Sequence, residues 1–394
     1  MAKLTVKDLD IKNKVVLMRV DFNVPLDDSL NITDDIRIKA AIPTIKYILE
    51  NGAKKIILMS HLGRPGGKVV ENLRLNPVAK RLEELLGMKV RKFDDCVGEA
   101  IKEGIKNSEE KVILLENLRF HPEEEKNDPL FAKQLAELGD VFVNDAFGTC
   151  HRAHASTEGI THYLKSAAGF LLEKEIKYLG DALSSPKKPF VIILGGAKVS
   201  DKIGVIDNLL PKADAILVGG AMAYTFLKAK NINIGNSKFE KDKIEIAEKI
   251  LEKVKTLNKN LVLPVDHVIA DRIDENAKVM NTEDVNISEG WLGVDIGTKT
   301  IEEFKKVLKD AQTIVWNGPM GIFEIEPFSR GTKEIAVYIA NLSAVTIVGG
   351  GDTASAVAKF GVENKLTHVS TGGGASLEYM EGKVLPGIAA LSEK

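Results

Sequence analysis

Between residues 15 and 370 this chain alternates short apolar runs, rich in β-branched residues, with stretches of helical spacing, and that alternation leaves few architectures open. The apolar runs fall at 15–20, 56–60, 112–116 and 141–144, then at 190–194, 216–218, 261–263, 314–316, 346–348 and 368–370. Helical periodicity fills gaps such as 77–86 and 130–138. Strands this apolar are buried on both faces, and a strand followed by a helix rejoins its sheet in parallel through a crossover. The expected class is therefore α/β, with mainly parallel sheets in three-layer domains. At 394 residues the chain exceeds one ordinary core, so two domains are expected. A helical stretch at 171–183 and a polar segment at 184–189, with Pro186 and Pro189, read as the connecting helix and hinge.

Composition narrows the function classes. A net charge of −2 lacks the basic surplus of a nucleic-acid binder. Only Cys96 and Cys150 are present, so no disulfide framework is expected. The first residues lack the apolar core of a signal peptide, and no apolar run is long enough to span a membrane. The expectation is a cytoplasmic protein.

Arginine and glycine are unevenly placed. Eight of ten arginines precede residue 153, while the later half repeats an apolar strand, a glycine cluster and a helix at 192–198, 216–221, 347–354 and 369–376. One such node only permits a tight turn. Four in succession put backbone N–H groups at helix N-termini, where anions are favoured. The Walker pattern is absent, since Lys68 and Lys198 are each followed by valine. Gly349–Ala354 matches Gly-x-Gly-x-x-Ala after a strand, but no acidic residue stands about 20 positions on, with Glu363 too near and Glu378 too far. A nicotinamide-dependent oxidoreductase therefore remains only as an alternative.

In Gly195–Lys202, Ser200 is expected to cap a helix, which puts Lys202 in a first turn that disfavours cations by roughly 0.3–1 kcal/mol. A bound phosphate would reverse that penalty, for Lys202 and for Lys198 on the approach. Asp352, after three glycines, is the expected Mg²⁺ ligand, since Mg²⁺ needs few carboxylates beside phosphate and water. An N-cap role for Asp352 is the structural alternative. Glu324 suits sugar hydroxyls, because phosphates would repel it.

In the first half, four successive strand ends deliver Asp21 and Asn23, then His61 and Arg64, then Arg119, then His151, Arg152 and His154. Arginine's planar fork binds carboxylate or phosphate bidentately and keeps its charge. Arg74, Arg81 and Arg91 are read as ordinary surface residues. Metal binding is the other reading of His151 and His154, but the surrounding arginines would repel a cation, so an anion pocket is favoured.

The segments 19–25, 60–67, 114–121, 142–157, 195–204, 316–324, 349–356 and 370–386 together resemble the phosphoglycerate kinase family, in order and over essentially the whole length. That resemblance implies two Rossmann-like domains: a phosphoglycerate-binding domain at 1–170 and a nucleotide-binding domain at 190–384. The connector is 171–189, and 385–394 packs back on the first domain. It implies transfer of a phosphoryl group between 1,3-bisphosphoglycerate and MgADP, giving 3-phosphoglycerate and MgATP in glycolysis, by a monomer whose domains close. The implied phosphoglycerate contacts are Asp21, Asn23, Arg37, His61, Leu62, Gly63, Arg64, Arg119 and Arg152. Gly195, Gly219, Gly220, Gly293, Asn317, Pro319 and Glu324 are implied nucleotide contacts. Lys202, Gly350, Gly351, Asp352 and Thr353 match the phosphate and metal contacts. Arg37, Lys198 and the amides of Gly372 and Gly373 are implied to stabilise the transferring group. The acceptor oxygens on both sides are ionised near neutral pH, so the chemistry needs alignment and charge rather than a general base. A non-enzymatic binding role is the further alternative, held as a second function, and the residues name no partner for it.

Overall fold

The computed structural model describes residues 2–394. These form two compact units, one made of residues up to Lys177 together with Val384–Lys394, the other of Tyr178–Lys383. The helix Phe170–Ser184 carries the chain from the first to the second.

The first unit is built on a six-stranded sheet of β1 (Val15–Arg19), β2 (Lys55–Met59), β3 (Val90–Lys92), β4 (Val112–Leu114), β5 (Val141–Asn144) and β6 (Ser166–Ala168). The order is β3-β4-β2-β1-β5-β6, with every pairing parallel. Alternate strand residues serve opposite faces. Val16, Met18, Ile56 and Leu58 pack against Ile38 and Ile45 of the helix Ile36–Glu50 and Val78 and Leu82 of Asn76–Leu86. Leu17, Ile57 and Met59 meet Ile101 and Ile105 of Glu99–Asn107 and Phe131 and Leu135 of Pro129–Ala136. The helix Asn76–Leu86 begins with Pro77 in its first turn, where no N–H is missed, and ends at Gly87 with φ +66°.

The last residues are built into this unit. The Gly387 N–H donates to the Cys150 carbonyl at 2.9 Å, and Asn144 Nδ2 donates to the Gly387 carbonyl at 3.2 Å. A Cβ on Gly387 would stand 2.9 Å from Cys150 Cα, so the close approach requires glycine.

The second unit has its own six-stranded sheet, formed by β7 (Phe190–Leu194), β8 (Ala215–Val218), β9 (Asn260–Val262), β13 (Thr313–Asn317), β14 (Val345–Gly349) and β15 (His368–Val369). All pairings are parallel, in the order β15-β14-β13-β7-β8-β9. Counted from β7 this is the doubly wound order 3-2-1-4-5-6, whose direction reverses between β7 and β13.

Between β9 and β13 the chain forms a small antiparallel sheet, β11-β10-β12, from β10 (His267–Ala270), β11 (Val279–Asn281) and β12 (Leu292–Ile296). This sheet and the edge strands β3 and β6 lie outside the sequence-based expectation. The edge strands are three residues each, too short for a clear period, and Gly293 interrupts β12. No helix among the described residues is long and apolar enough to cross a membrane.

Candidate active site

In the first unit the rim is assembled by the loops that leave β1, β2, β4 and β5. Arg19 closes β1 and is buried. Its Nε donates to Ser156 Oγ at 2.8 Å, one terminal nitrogen donates to the Val20 carbonyl, and the other lies 3.2 Å from His61 Nδ1. A guanidinium only donates, so His61 Nδ1 accepts and the ring proton sits on Nε2. Burial, then Arg19 and Arg119, holds His61 well below the usual histidine range. Burial and the same arginines lower His154 to about 3. Both rings are therefore neutral near pH 7, and the arginines supply the positive potential.

Glu124 supports this arrangement from beneath. It is fully buried in the short helix Pro122–Glu125 and accepts from Ser156 N at 3.0 Å and Ser156 Oγ at 2.6 Å. Burial raises its pKa, and the Arg19 charge opposes the rise. A chain of contacts thus runs Glu124–Ser156–Arg19–His61. Neither the burial of Arg19 nor the role of Glu124 was legible in the sequence, because Pro122–Glu125 reads as a solvated acidic run.

Arg37 lies in the first turn of Ile36–Glu50, a position unfavourable for a cation, and its ion pair with Asp21 offsets that penalty. Asn23 Oδ1 accepts from Gly63 N at 2.8 Å, and Arg119 Nη1 donates to the Gly63 carbonyl at 2.9 Å. The loop after β2 is therefore held from both sides, with Leu62 buried and its carbonyl bonded by Asn117 Nδ2 at 2.8 Å. Asn117 Oδ1 also caps the turn Leu118–Phe120 that presents Arg119. A Cβ on Gly148 would lie 2.5 Å from Asp21 Oδ2, so the loop after β5 reaches the Asp21–Arg37 pair. Arg152 is half-buried and adds its charge to those lowering His154, while Arg64 is exposed on its loop.

Two of the arginines read as surface residues are otherwise engaged. Arg74 bonds the buried carboxylate of Glu116 at 3.0 Å as well as Glu71, so it is structural rather than simply solvated. Arg81 joins Asp35 at 2.7 Å to Glu84 at 2.6 Å. Sequence spacing did not reveal these pairs, because Glu116 and Asp35 lie more than 40 residues from their partners.

In the second unit, a cleft of about 320 Å³ opens at the carboxyl ends of β7, β13 and β14 and includes the point where strand order reverses. Gly195, Gly196, Lys198, Lys202, Asn317, Gly350, Gly351, Asp352, Thr353 and Gly373 line it. Its floor is backbone against backbone: Gly195 N donates to the Asn317 carbonyl at 3.0 Å and Gly196 N to the Pro319 carbonyl at 2.9 Å. Gly318, at φ +98°, lies where a Cβ would overlap the Gly195 carbonyl. Thr353 Oγ1 accepts from Gly318 N at 2.7 Å, tying β13 to the helix Gly351–Lys359. Lys202 Nζ donates to Asn317 Oδ1, whose Nδ2 donates to the Gly349 carbonyl at 3.0 Å. Burial lowers the Lys202 pKa, opposed by Asp201 and Asp352. A bound phosphate would add the counter-charge that this ammonium lacks.

One local expectation is corrected, and one structural alternative is set aside. Ser200 does not cap a helix: its hydroxyl donates to Glu240 Oε1 at 2.6 Å, and the helix starts at Ile203 with Lys202 as its cap. Asp352 is not a cap either, since Gly350 holds that position at φ +91°. The Asp352 carboxylate is exposed at the cleft.

Of the other predicted contacts, Gly373 belongs to the cleft lining and the rest do not. Gly220 packs on Gly196, and Gly219 on Met320. Gly293 lies within β12, where the Tyr224 ring occupies the space a Cβ would need. Glu324 is exposed, and its carbonyl accepts from Lys359 Nζ at 3.1 Å. The Gly372 N–H is directed at Ser370 Oγ, 3.1 Å away, and Gly373 caps the helix Gly374–Met380 at φ +52°.

A family model described as phosphoglycerate kinase matches residues 6–383. The phosphoglycerate kinase of Thermosipho africanus is 58% identical over 400 residues, covering 100% of this chain and 99% of that protein. That of Moorella thermoacetica is 56% identical over 397 residues, covering 100% of both. The solved phosphoglycerate kinase of Coxiella burnetii superposes with a TM-score of 0.89 at 42% identity, covering 98% of each chain. That of Pyrococcus horikoshii gives 0.85 at 35% identity over the same share. With the strand-end rims, the glycine-lined cleft and a match from residue 6 to residue 383 all in agreement, the chain belongs to the phosphoglycerate kinase family.

Proposed function

We propose that this protein catalyses the reversible transfer of a phosphoryl group from 1,3-bisphosphoglycerate to MgADP, giving 3-phosphoglycerate and MgATP, as a glycolytic carboxyl-acceptor phosphotransferase. The observation that carries this reading is the cleft at the reversal point of the second sheet. There glycine backbone, Lys198, Lys202 and an uncapped Asp352 converge, as a polyphosphate with its cation requires.

The nucleotide is assigned to the second unit. Lys202, Gly350, Gly351, Asp352 and Thr353 take its phosphates and their metal, and Gly195, Gly219, Gly220, Gly293, Asn317, Pro319 and Glu324 are further nucleotide contacts. Phosphoglycerate is assigned to Asp21, Asn23, His61, Leu62, Gly63, Arg64, Arg119 and Arg152, with neutral His61 donating from Nε2. Arg37, Lys198 and the amides of Gly372 and Gly373 place positive charge around the transferring group. For the Gly372 amide to act, its N–H must leave Ser370 Oγ. No proton transfer is required, because both acceptor oxygens are already ionised.

The donor set at the cleft fits Mg²⁺. Asp352 offers one exposed carboxylate beside Gly350 and Gly351, and Mg²⁺ completes its shell with water and phosphate oxygens. When bound, the ion neutralises the phosphate charge that develops during transfer.

The two substrates are assigned to different units, and reaction needs the transferring atoms about 3–3.5 Å apart, so domain closure belongs to this reading. So do a monomeric state and a cytoplasmic location. Light scattering at one chain mass would support the former, and a stable dimer would exclude it.

The test is consumption of 1,3-bisphosphoglycerate by the purified protein with ADP, with and without Mg²⁺. Activity that requires both ADP and the metal supports the proposal; inactivity with both present overturns it. The nicotinamide alternative rests only on the pattern Gly349–Ala354, and tight NAD binding without ADP competition would be needed to restore it.

A further inference from the structure

The carboxyl ends of β3 and β4 bring together a second set of donors that phosphoryl transfer does not use. Asp95 and Cys96 follow β3, and His121 closes the turn Leu118–Phe120 that follows β4. A carboxylate oxygen, a thiol sulfur and a ring nitrogen from these residues all lie within 4.8 Å of one another. Among the described residues this is the one such group identified.

Its parts are held in place individually. His121 Nε2 lies 2.7 Å from Asp95 Oδ1, and the Phe131 ring backs the imidazole with centroids 4.9 Å apart. The Cys96 thiol donates to the Glu116 carbonyl at 3.0 Å, and Cys96 N donates to Asp95 Oδ1 at 2.7 Å. Cys96 is buried, whereas the His121 and Asp95 side chains are 26% and 56% exposed. The sulfur thus sits at the base of a site whose other two donors reach water. The basic side chains of this corner are engaged elsewhere, Lys92 with Glu116 and Asp94, and Arg74 with Glu116 and Glu71.

We propose that Asp95, Cys96 and His121 form a binding site for a zinc-class divalent ion, separate from the nucleotide-associated magnesium. One sulfur, one nitrogen and one oxygen donor suit a borderline-soft tetrahedral ion, while Mg²⁺ prefers oxygen alone. Three protein ligands leave the fourth position to water. Binding forms one bond to each donor and breaks two hydrogen bonds, that of the thiol to Glu116 and that between His121 Nε2 and Asp95 Oδ1. The thiol proton leaves to solvent and the ring proton shifts from Nε2 to Nδ1, with no change of oxidation state. Ligand atoms around zinc stand roughly 3.3–3.8 Å apart, so the His121–Asp95 contact must widen by somewhat more than half an ångström. Exposed Asp95 can make that movement. The ion would tie the loop after β3 to the end of the turn that carries Arg119.

The ordinary alternative is a histidine–aspartate hydrogen bond beside a buried core cysteine, and cobalt separates the two. Metal-free full-length protein is titrated with Co²⁺ without nucleotide and followed by absorption. A site predicts saturation at one ion per chain, a sulfur-to-cobalt charge-transfer band, displacement by Zn²⁺ and indifference to excess Mg²⁺. His121→Gln and Asp95→Asn should each weaken binding at least about tenfold, and Cys96→Ser should abolish the band. No saturable band, or a band that survives Cys96→Ser, overturns the proposal. If Cys96→Ser fails to fold, the two partly exposed variants decide, and unchanged affinity in both overturns it. None of these readouts depends on the phosphoryl-transfer reading.

Discussion

The two units build their rims at the same place, the carboxyl ends of parallel strands, from opposite materials. The first uses long charged side chains and restrains them in advance: Arg19 by Ser156, Arg37 by Asp21, Arg119 by Gly63. The second uses backbone, with Gly195, Gly196, Gly220 and Gly318 packed so closely that no Cβ fits at Gly195, Gly220 or Gly318. Side-chain sites gain charge but must order flexible groups, and buried contacts such as Glu124–Ser156 supply that order. A backbone site is ordered by the fold itself, and its weakness is intolerance of any added atom.

That contrast can be broken most sharply at Gly318. Gly318→Ala combines a strained φ with overlap on the Gly195 carbonyl, so it should destabilise the protein by about 2–5 kcal/mol in urea unfolding and abolish nucleotide binding. Retained ADP affinity would mean that the floor is deformable. Next in size, Lys198→Ala and Arg37→Ala should each lower kcat by about 10²–10³-fold with little change in unfolding midpoint. If Arg37→Ala raised only KM, the first unit would bind without stabilising the transferring group.

A smaller effect concerns pH. Asp295, buried in β12, accepts from Gly331 N at 2.5 Å and Ile296 N at 2.9 Å, yet burial pushes its carboxyl up to about 8. The unfolded chain titrates it near the ordinary value of about 4. The folded state therefore binds this proton more tightly, and the associated stability is full below about pH 4 and lost as pH rises through about 8. Asp295→Asn should lose stability at low pH, where it forfeits an acceptor, and close that gap as pH rises. Urea midpoints of both proteins at several pH values would check this; a constant difference would contradict it. Smallest of all, Arg81→Ala should leave the urea midpoint almost unmoved and kcat/KM unchanged, because its pairs with Asp35 and Glu84 are solvent-screened. A large loss of activity there would extend the arginine rim beyond the residues assigned to it.

The long central strands were legible because burial on both faces makes β1, β2, β7 and β13 almost wholly apolar. The antiparallel sheet escaped notice for the converse reason: all three residues of β11 are exposed, and β12 carries a glycine. In the sites, Asp352 and Lys202 could be singled out from their glycine neighbours. Ser200 was misjudged because local spacing favours a cap, whereas Glu240, 40 residues on, takes its hydroxyl. Glu124 and Arg19 could not be recognised as a buried network, since charge alone points to the surface.

By itself the sequence determined the α/β class, the parallel sheets, the family resemblance and the strand ends at which chemistry could gather, because periodicity and glycine placement are local properties. Only the tertiary structure decided which charges are buried, which histidines are neutral and which hydroxyls cap, pair or bridge. Those properties depend on partners far apart in the chain and on how much water the fold leaves around them.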